Sequence, residues 1–424
     1  MPSPHRTLLR AAVPLFGTMS AGIVAQLVGT SLLGHQATAQ LAAFTLAGAV
    51  LNPVTAAVAG GLRGAAPFVA VHRDRPAEAV AVLKDARWLA LGLGAAGAGV
   101  MLAVPSIARA GGAPDEAVAE LGRLPLLLAL HVLLYAAGSG ANGVLVALGR
   151  SRLVLWSGLA GTGTQVALSL ALVPRMGVQG VGVALLGSTA VAVAVSNGVL
   201  SRLTGSSPWP GRPRARLIVR MARVGVPMSA MLVIKFTVMG GVAYTAARTG
   251  VQGAAAHAIL IALDGFLGLA AFAAAQAATP EIARAASPRD ARRVSGAAVM
   301  VAAAGVLVGG LVLLLPDGAV LGAFTPDAAV LGLAGGLVPL LLAFSLVGNC
   351  GIVVAYGLVG LRRSTWQLAS AGTGYGLLAL TMTPATEAGG LAGLWTAMVA
   401  SAVLIGGMQV AGFRRATRSV GLAA

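Results

Sequence analysis

Twelve long apolar segments run through this chain, and its arginines fall almost entirely in every second connection between them. About 20 consecutive apolar residues make a helix long enough to cross the roughly 30 Å hydrocarbon core of a bilayer. Approximate spans are expected at 10–33, 41–71, 88–108, 123–147, 153–173, 180–200, 222–246, 254–280, 296–316, 331–358, 366–384 and 391–413. One set of connections then carries Arg6, Arg10, Arg73, Arg75, Lys84, Arg87, Arg150 and Arg152, continuing through the arginines of 202–223, 284–293, 362–363 and 414–418. The other set holds acids such as Asp115, Glu116, Glu120, Asp317, Asp327 and Glu387. Basic loops resist translocation, so both termini are expected on the cytoplasmic side. A helix count wrong by one would scramble the alternation, so count and orientation support each other.

A chain that is 57% hydrophobic and only 10% charged, with a mean hydropathy of +0.88, has lipid as the solvent for most of its length. Its formal net charge of +17 is scattered between spans and forms no single patch, so no nucleic-acid partner is expected. The helices are rich in Ala, Gly, Val and Leu, and Lys84 and Lys235 are the only lysines. That bias is associated with GC-rich bacterial genomes and points to a bacterial plasma membrane. The N-terminal run is too long for a signal peptide and lacks a clear cleavage site, so an uncleaved first helix is expected. The single Cys350 excludes an internal disulfide and a cysteine-based metal cluster. Neither lysine follows a glycine, which excludes a Walker A loop, and no HExxH occurs. The glycines of Gly92–Gly97 match the dinucleotide fingerprint in spacing, but they lie inside a span with no preceding strand. No cofactor or metal is expected.

The longest polar connection, 201–221, combines Pro, Gly, Ser and Arg at mid-chain. It reads as a cytoplasmic linker between a six-helix lobe at 1–200 and another at 222–424. The halves repeat at an offset of about 213 residues: Pro14 matches Pro227, and Gly177-Val-Gln-Gly180 matches Gly390-Leu-Ala-Gly393. Each half holds an even number of spans, so the lobes are expected to be parallel and pseudo-symmetric, facing each other across a cleft in an alternating-access architecture. The fold class is therefore an all-α polytopic membrane protein.

Ionisable groups at membrane depth are expensive and become functional candidates. Lys235 lies about 18 Å from the inner end of its helix and Asp264 about 15 Å from the outer end of the next, at 1.5 Å per residue. Both sit near the midplane and, on neighbouring antiparallel helices, are expected to face each other as an ion pair. The pair is either opened by a proton or substrate, or it is a permanent lock between helices. Arg63 has no acid at matching depth in its half. It either snorkels or bonds backbone carbonyls, or it faces the cleft and holds an anionic group. Gln26, His131, Tyr135 and Asn142 are polar candidates for the cavity, with packing between helices as the plainer reading. His131 can also titrate near neutral pH as a proton carrier. Pro14 and Pro227 each remove a backbone hydrogen bond and are candidate bending points.

Several stretches together resemble the multidrug and toxic compound extrusion (MATE) family over essentially the whole chain. They are Pro14, GTSLLGHQATAQLAA (Gly29–Ala43), PFVAVHRDRPAEA, NGVLVALGRSR (Asn142–Arg152) and GVQGVGVA (Gly177–Ala184). In the second half they are TGVQGAAAHA (Thr249–Ala258), AQAATPEIARA (Ala275–Ala285) and GLAGLWTAM (Gly390–Met398). The resemblance implies a secondary transporter that exports drugs or metabolites in exchange for protons or sodium ions, without ATP. It also favours Pro14 as the bend that reshapes the first lobe's cavity. The chain departs from the family pattern where coupling acids are usual. Gln26 replaces an Asp of the first helix, and Lys235 replaces a Glu found in one branch in the seventh. The coupling ion, proton or sodium, stays open.

The expected partners are a small-molecule substrate and the bilayer, with the chain acting as a monomer. The alternative is a flippase for a lipid-linked or anionic precursor, which cationic Arg63 and Lys235 would suit. An intramembrane enzyme is disfavoured, because no nucleophile–base pair accompanies the one mid-membrane acid.

Overall fold

A computed structural model describes residues 4–34, 38–72, 74–112, 115–205, 211–314 and 319–418. Arg73, Asp317 and residues 206–210 of the expected linker lie outside the described residues. The described elements are α1 (Pro4–Gly34), α2 (Thr38–Arg63), α3 (Ala66–Ala70), α4 (Pro76–Leu102), α5 (Val104–Ala110), α6 (Asp115–Glu120), α7 (Leu124–Ala147), α8 (Ser151–Met176), α9 (Val178–Thr204) and α10 (Ala215–Ala247). They continue as α11 (Val251–Ala283), α12 (Pro288–Leu313), α13 (Ala319–Gly322), α14 (Ala328–Gly360) and α15 (Ser364–Arg418).

Among the described residues, ten helical stretches are long and apolar enough to cross a membrane, with α2 and α3 joined in one of them. The α4–α5 pair, bent by 49°, adds an eleventh. The 55 residues of α15 are broken by non-helical backbone at Gly389 and Gly390, so 364–388 and 391–418 are separate helices; counted as two crossings, they bring the helices to twelve. The chain is a multi-pass helical membrane protein. Its helices reach 33 residues, longer than the expected spans. Where lipid supplies no hydrogen bonds, a helix that continues satisfies its own backbone.

The sequence repeat reappears in the backbone at the same offset of 213. Helices α1 and α10 end at Gly34 and Ala247, α2 and α11 begin at Thr38 and Val251, and α8 and α15 begin at Ser151 and Ser364. The turn that ends α7 is closed by Arg150 N–H donating to Leu145 O at 2.8 Å, and its counterpart by Arg363 N–H donating to Leu358 O at 2.8 Å. Gly177 (φ 55°, ψ −133°) and Gly390 (φ 57°, ψ −144°) share a left-handed conformation in which other residues are strained. Two corresponding glycines, Gly180 and Gly393, allow the entering helix to lie against the backbone of Leu172 and Ala385 respectively.

Contacts divide the chain into a unit of Val13–Ser229 and a unit of Met1–Ala12 with Ala230–Ala424. In the first unit, α7 packs against α2, α4 and α9, and α8 pairs with α9. The beginning of α10 also belongs to this unit. It crosses α2 at small residues: a Cβ on Gly64 would come within 2.5 Å of Gly225 N and 2.6 Å of Met221 O. Ser229 Oγ donates to Ala57 O at 2.7 Å in the same crossing. Such close approach is how membrane helices gain packing energy where no hydrophobic effect favours their association. In the second unit α14 packs against α11, α12 and α15. Its core surrounds fully buried Trp395, against whose ring His257 and Phe344 lie edge-on at 5.7 and 5.9 Å.

Candidate functional site

Asp264, half-buried on α11, is held by α14: Ser345 Oγ donates to its Oδ1 at 2.5 Å. Lys235, half-buried on α10, interacts with the same carboxylate through space. No salt bridge joins Asp264 and Lys235 among the described residues, which corrects the expected contact pair. Ser345 occupies the carboxylate's near position. The expectation considered only consecutive helices, and the α11–α14 contact comes from a helix three elements further along. By the 213 offset, Asp264, Lys235 and Ser345 correspond to Leu51, Gly22 and Val132. This polar group therefore has no counterpart in the first half of the repeat.

Arg63 stands at the C-terminal end of α2, directly before the break at Gly64 and Ala65. The last carbonyls of a helix carry partial negative charge that favours a cation there. Arg63 also interacts electrostatically with Tyr135 on α7. The break has a local cause. Gly64 at the α10 crossing replaces the Ala277 found 213 residues later, where α11 continues without interruption.

Of the remaining candidates, His131, Tyr135 and Asn142 fall with Ser139 on one face of α7, at spacings of four, four and three residues. His131 is buried, stacks on Tyr135 with ring centroids 6.0 Å apart, and has Nδ1 2.9 Å from Thr189 Oγ1 and 3.3 Å from Leu185 O. Its ring is thus tied to α9 in the manner of a packing residue. Ser157 of α8 donates to Val154 O at 2.9 Å with Asn142 Oδ1 3.4 Å away. Gln26 is exposed on α1, and its backbone carbonyl accepts from Thr30 Oγ1 at 3.0 Å. Helices α1 and α10 run uninterrupted through Pro14 and Pro227, and Thr18 Oγ1 donates to Pro14 O at 3.0 Å.

One constellation had no signal in the sequence. Asp85 on α4 is 1% exposed and accepts from Arg214 N at 2.9 Å and from its Nε at 2.7 Å. The same guanidinium donates to Ala81 O at 2.7 Å, and Trp88 Nε1 donates to Gly211 O at 2.8 Å. Asp85 and Arg214 are 129 residues apart, so periodicity could not pair them.

No protein-family model matches the chain. Curated relatives do: a protein named probable multidrug resistance protein NorM from Aromatoleum aromaticum is 27% identical, over 90% of this chain and 89% of its own length. A namesake from Xanthomonas campestris pv. campestris is 28% identical over 84% of this chain and 81% of its own. A solved structure of an outward-facing multidrug resistance MATE family transporter of the MOP superfamily superposes with a TM-score of 0.85 at 20% identity, covering 99% of this chain and 96% of that one. The chain has the fold of that MATE transporter structure. A MOP superfamily transporter from Pyrococcus furiosus, for which a binding pocket of reversed polarity is described, gives a TM-score of 0.86 at 19% identity, covering 99% of this chain and 97% of that chain. The polar groups of the chain, Asp264 with Ser345 and Arg63 with Tyr135, differ between its two halves.

Proposed function

We propose that the chain exports drugs or small organic metabolites from a bacterial cell by antiport against protons or sodium ions, alternating access between the two sides of the plasma membrane. Both termini lie in the cytoplasm, the chain works as a monomer, and the lobes follow the sequence repeat, 1–200 and 222–424 joined by 201–221. The observation that carries the reading is Asp264: a carboxylate within a membrane helix, bonded by Ser345 and within electrostatic reach of Lys235. A carboxylate so placed costs stability unless it is paired or used, and a cation that neutralises it changes the balance of charge around Lys235. The names of the relatives support export of drugs. In this reading Asp264 and Lys235 form the coupling site. Arg63, Gln26, Tyr135, Asn142 and His131 contribute to the cavity, and Pro14 and Pro227 are the bends.

The test is transport by purified protein in liposomes under imposed pH and sodium gradients, with cationic, neutral and anionic compounds and with Asp264→Asn beside the wild type. Transport that follows one gradient and is lost in the variant supports the antiporter. Substrate movement that ignores both gradients would replace it by a flippase for an anionic precursor, with Arg63 as the contact.

A further inference from the structure

The beginning of α10 carries arginines on a single face. Arg216, Arg220 and Arg223 follow one another at spacings of four and three residues, which stacks them along one side of a helix. All three are exposed, and among the described residues none has an acidic partner. Val219 and Val226, 48% and 51% exposed, flank the row on one side. The opposite side of the helix, with Met221 and Gly225, is the one buried against α2. The arginine face is therefore the outward one, mixed with aliphatic side chains. Arg214, Ala215, Arg216, Leu217 and Arg220 line an open hollow of about 520 Å³ there.

The hollow is held in place by contacts with α4. Arg214, at its edge, is fixed by buried Asp85, and Trp88 bonds Gly211 just before it. From Arg216 to Arg223 the row rises about 10 Å, close to the depth of one headgroup layer, about 5–8 Å. Positive charge, adjacent aliphatic surface and that depth fit a phosphate attached to acyl chains better than one free in water.

We propose that this face is a binding site for the headgroup of an anionic phospholipid, with Arg216, Arg220 and Arg223 on the phosphate and Val219 and Val226 against the upper acyl chains. In the inner leaflet, which rests on the orientation proposed above, the site ties the start of α10, and with it the α2 crossing, to the membrane surface.

The experiment titrates the full-length protein in neutral detergent with phosphatidylglycerol or phosphatidylcholine and counts bound lipid by native mass spectrometry. Phosphatidylglycerol is expected to bind and phosphatidylcholine not. The triple variant Arg216→Gln, Arg220→Gln, Arg223→Gln is expected to weaken binding roughly 100-fold, on the order of fivefold per arginine. A charge-matched triple, Arg152→Gln, Arg289→Gln, Arg293→Gln, is expected to bind like the wild type. Equal losses in the two triples would overturn the site in favour of the chain's general positive charge. Displacement of the lipid by millimolar inorganic phosphate at constant ionic strength would overturn the lipid as its occupant. Orientation is read separately, by labelling Gly211→Cys in a Cys350→Ser background from outside intact cells. A reversed topology would thus show itself without being mistaken for a failure to bind lipid.

Discussion

Asp264 and Asp85 are two acids in long helices, held in opposite ways. Asp85 is sealed by a guanidinium and a backbone N–H that satisfy both its oxygens, an arrangement suited to permanence. Removing one partner of such a pair strands the more buried charge. Arg214→Ala should therefore cost about 3 kcal/mol, more than Asp85→Ala, which leaves a guanidinium that is half-exposed and can turn to water. Thermal unfolding of the purified variants checks the order; the reverse order would mean that Asp85 has another source of compensation. Asp264 has one hydroxyl donor and a distant lysine, an arrangement that can change. Ser345→Ala should lower stability by about 1–3 kcal/mol and reduce gradient-driven transport. Exchanging the charges, Lys235→Asp with Asp264→Lys, should leave an inserted but inactive protein, because the serine is placed for a carboxylate on α11. Normal transport by the exchanged protein would instead identify the pair as a lock.

At the scale of elements, the α2–α10 crossing depends on the absence of side chains. Gly64→Leu would force the backbones apart and should destabilise by more than about 2 kcal/mol. Gly22→Ala, with nothing near its added carbon, should change stability by no more than about 0.5 kcal/mol. Gly390→Ala should cost about 1–2 kcal/mol because its φ of 57° is left-handed. Denaturation of the three variants side by side separates the causes. One of these glycines was visible beforehand: Gly390 stood out because it repeats Gly177. The partner of Gly64 was not visible, since Met221 and Gly225 approach it from more than 150 residues away. The break after Arg63 was likewise hidden, because a helical pattern in sequence carries no record of a neighbouring helix that crosses it.

At the scale of the whole molecule, hydropathy determined the twelve spans and the all-α fold, because a segment in lipid must satisfy its own backbone and has few ways to do so. The repeat at 213 residues was equally legible, down to matching helix ends, since it is a correspondence between two stretches of the same string. The midmembrane charges could also be named from sequence, as their rarity marks them. What they touch could not. Ser345 beside Asp264, Tyr135 beside Arg63 and Arg214 on Asp85 join residues that periodicity does not relate. A one-dimensional pattern determines which side of a helix is polar and how deep a residue lies; which helix meets that side is decided only when packing selects one set of neighbours.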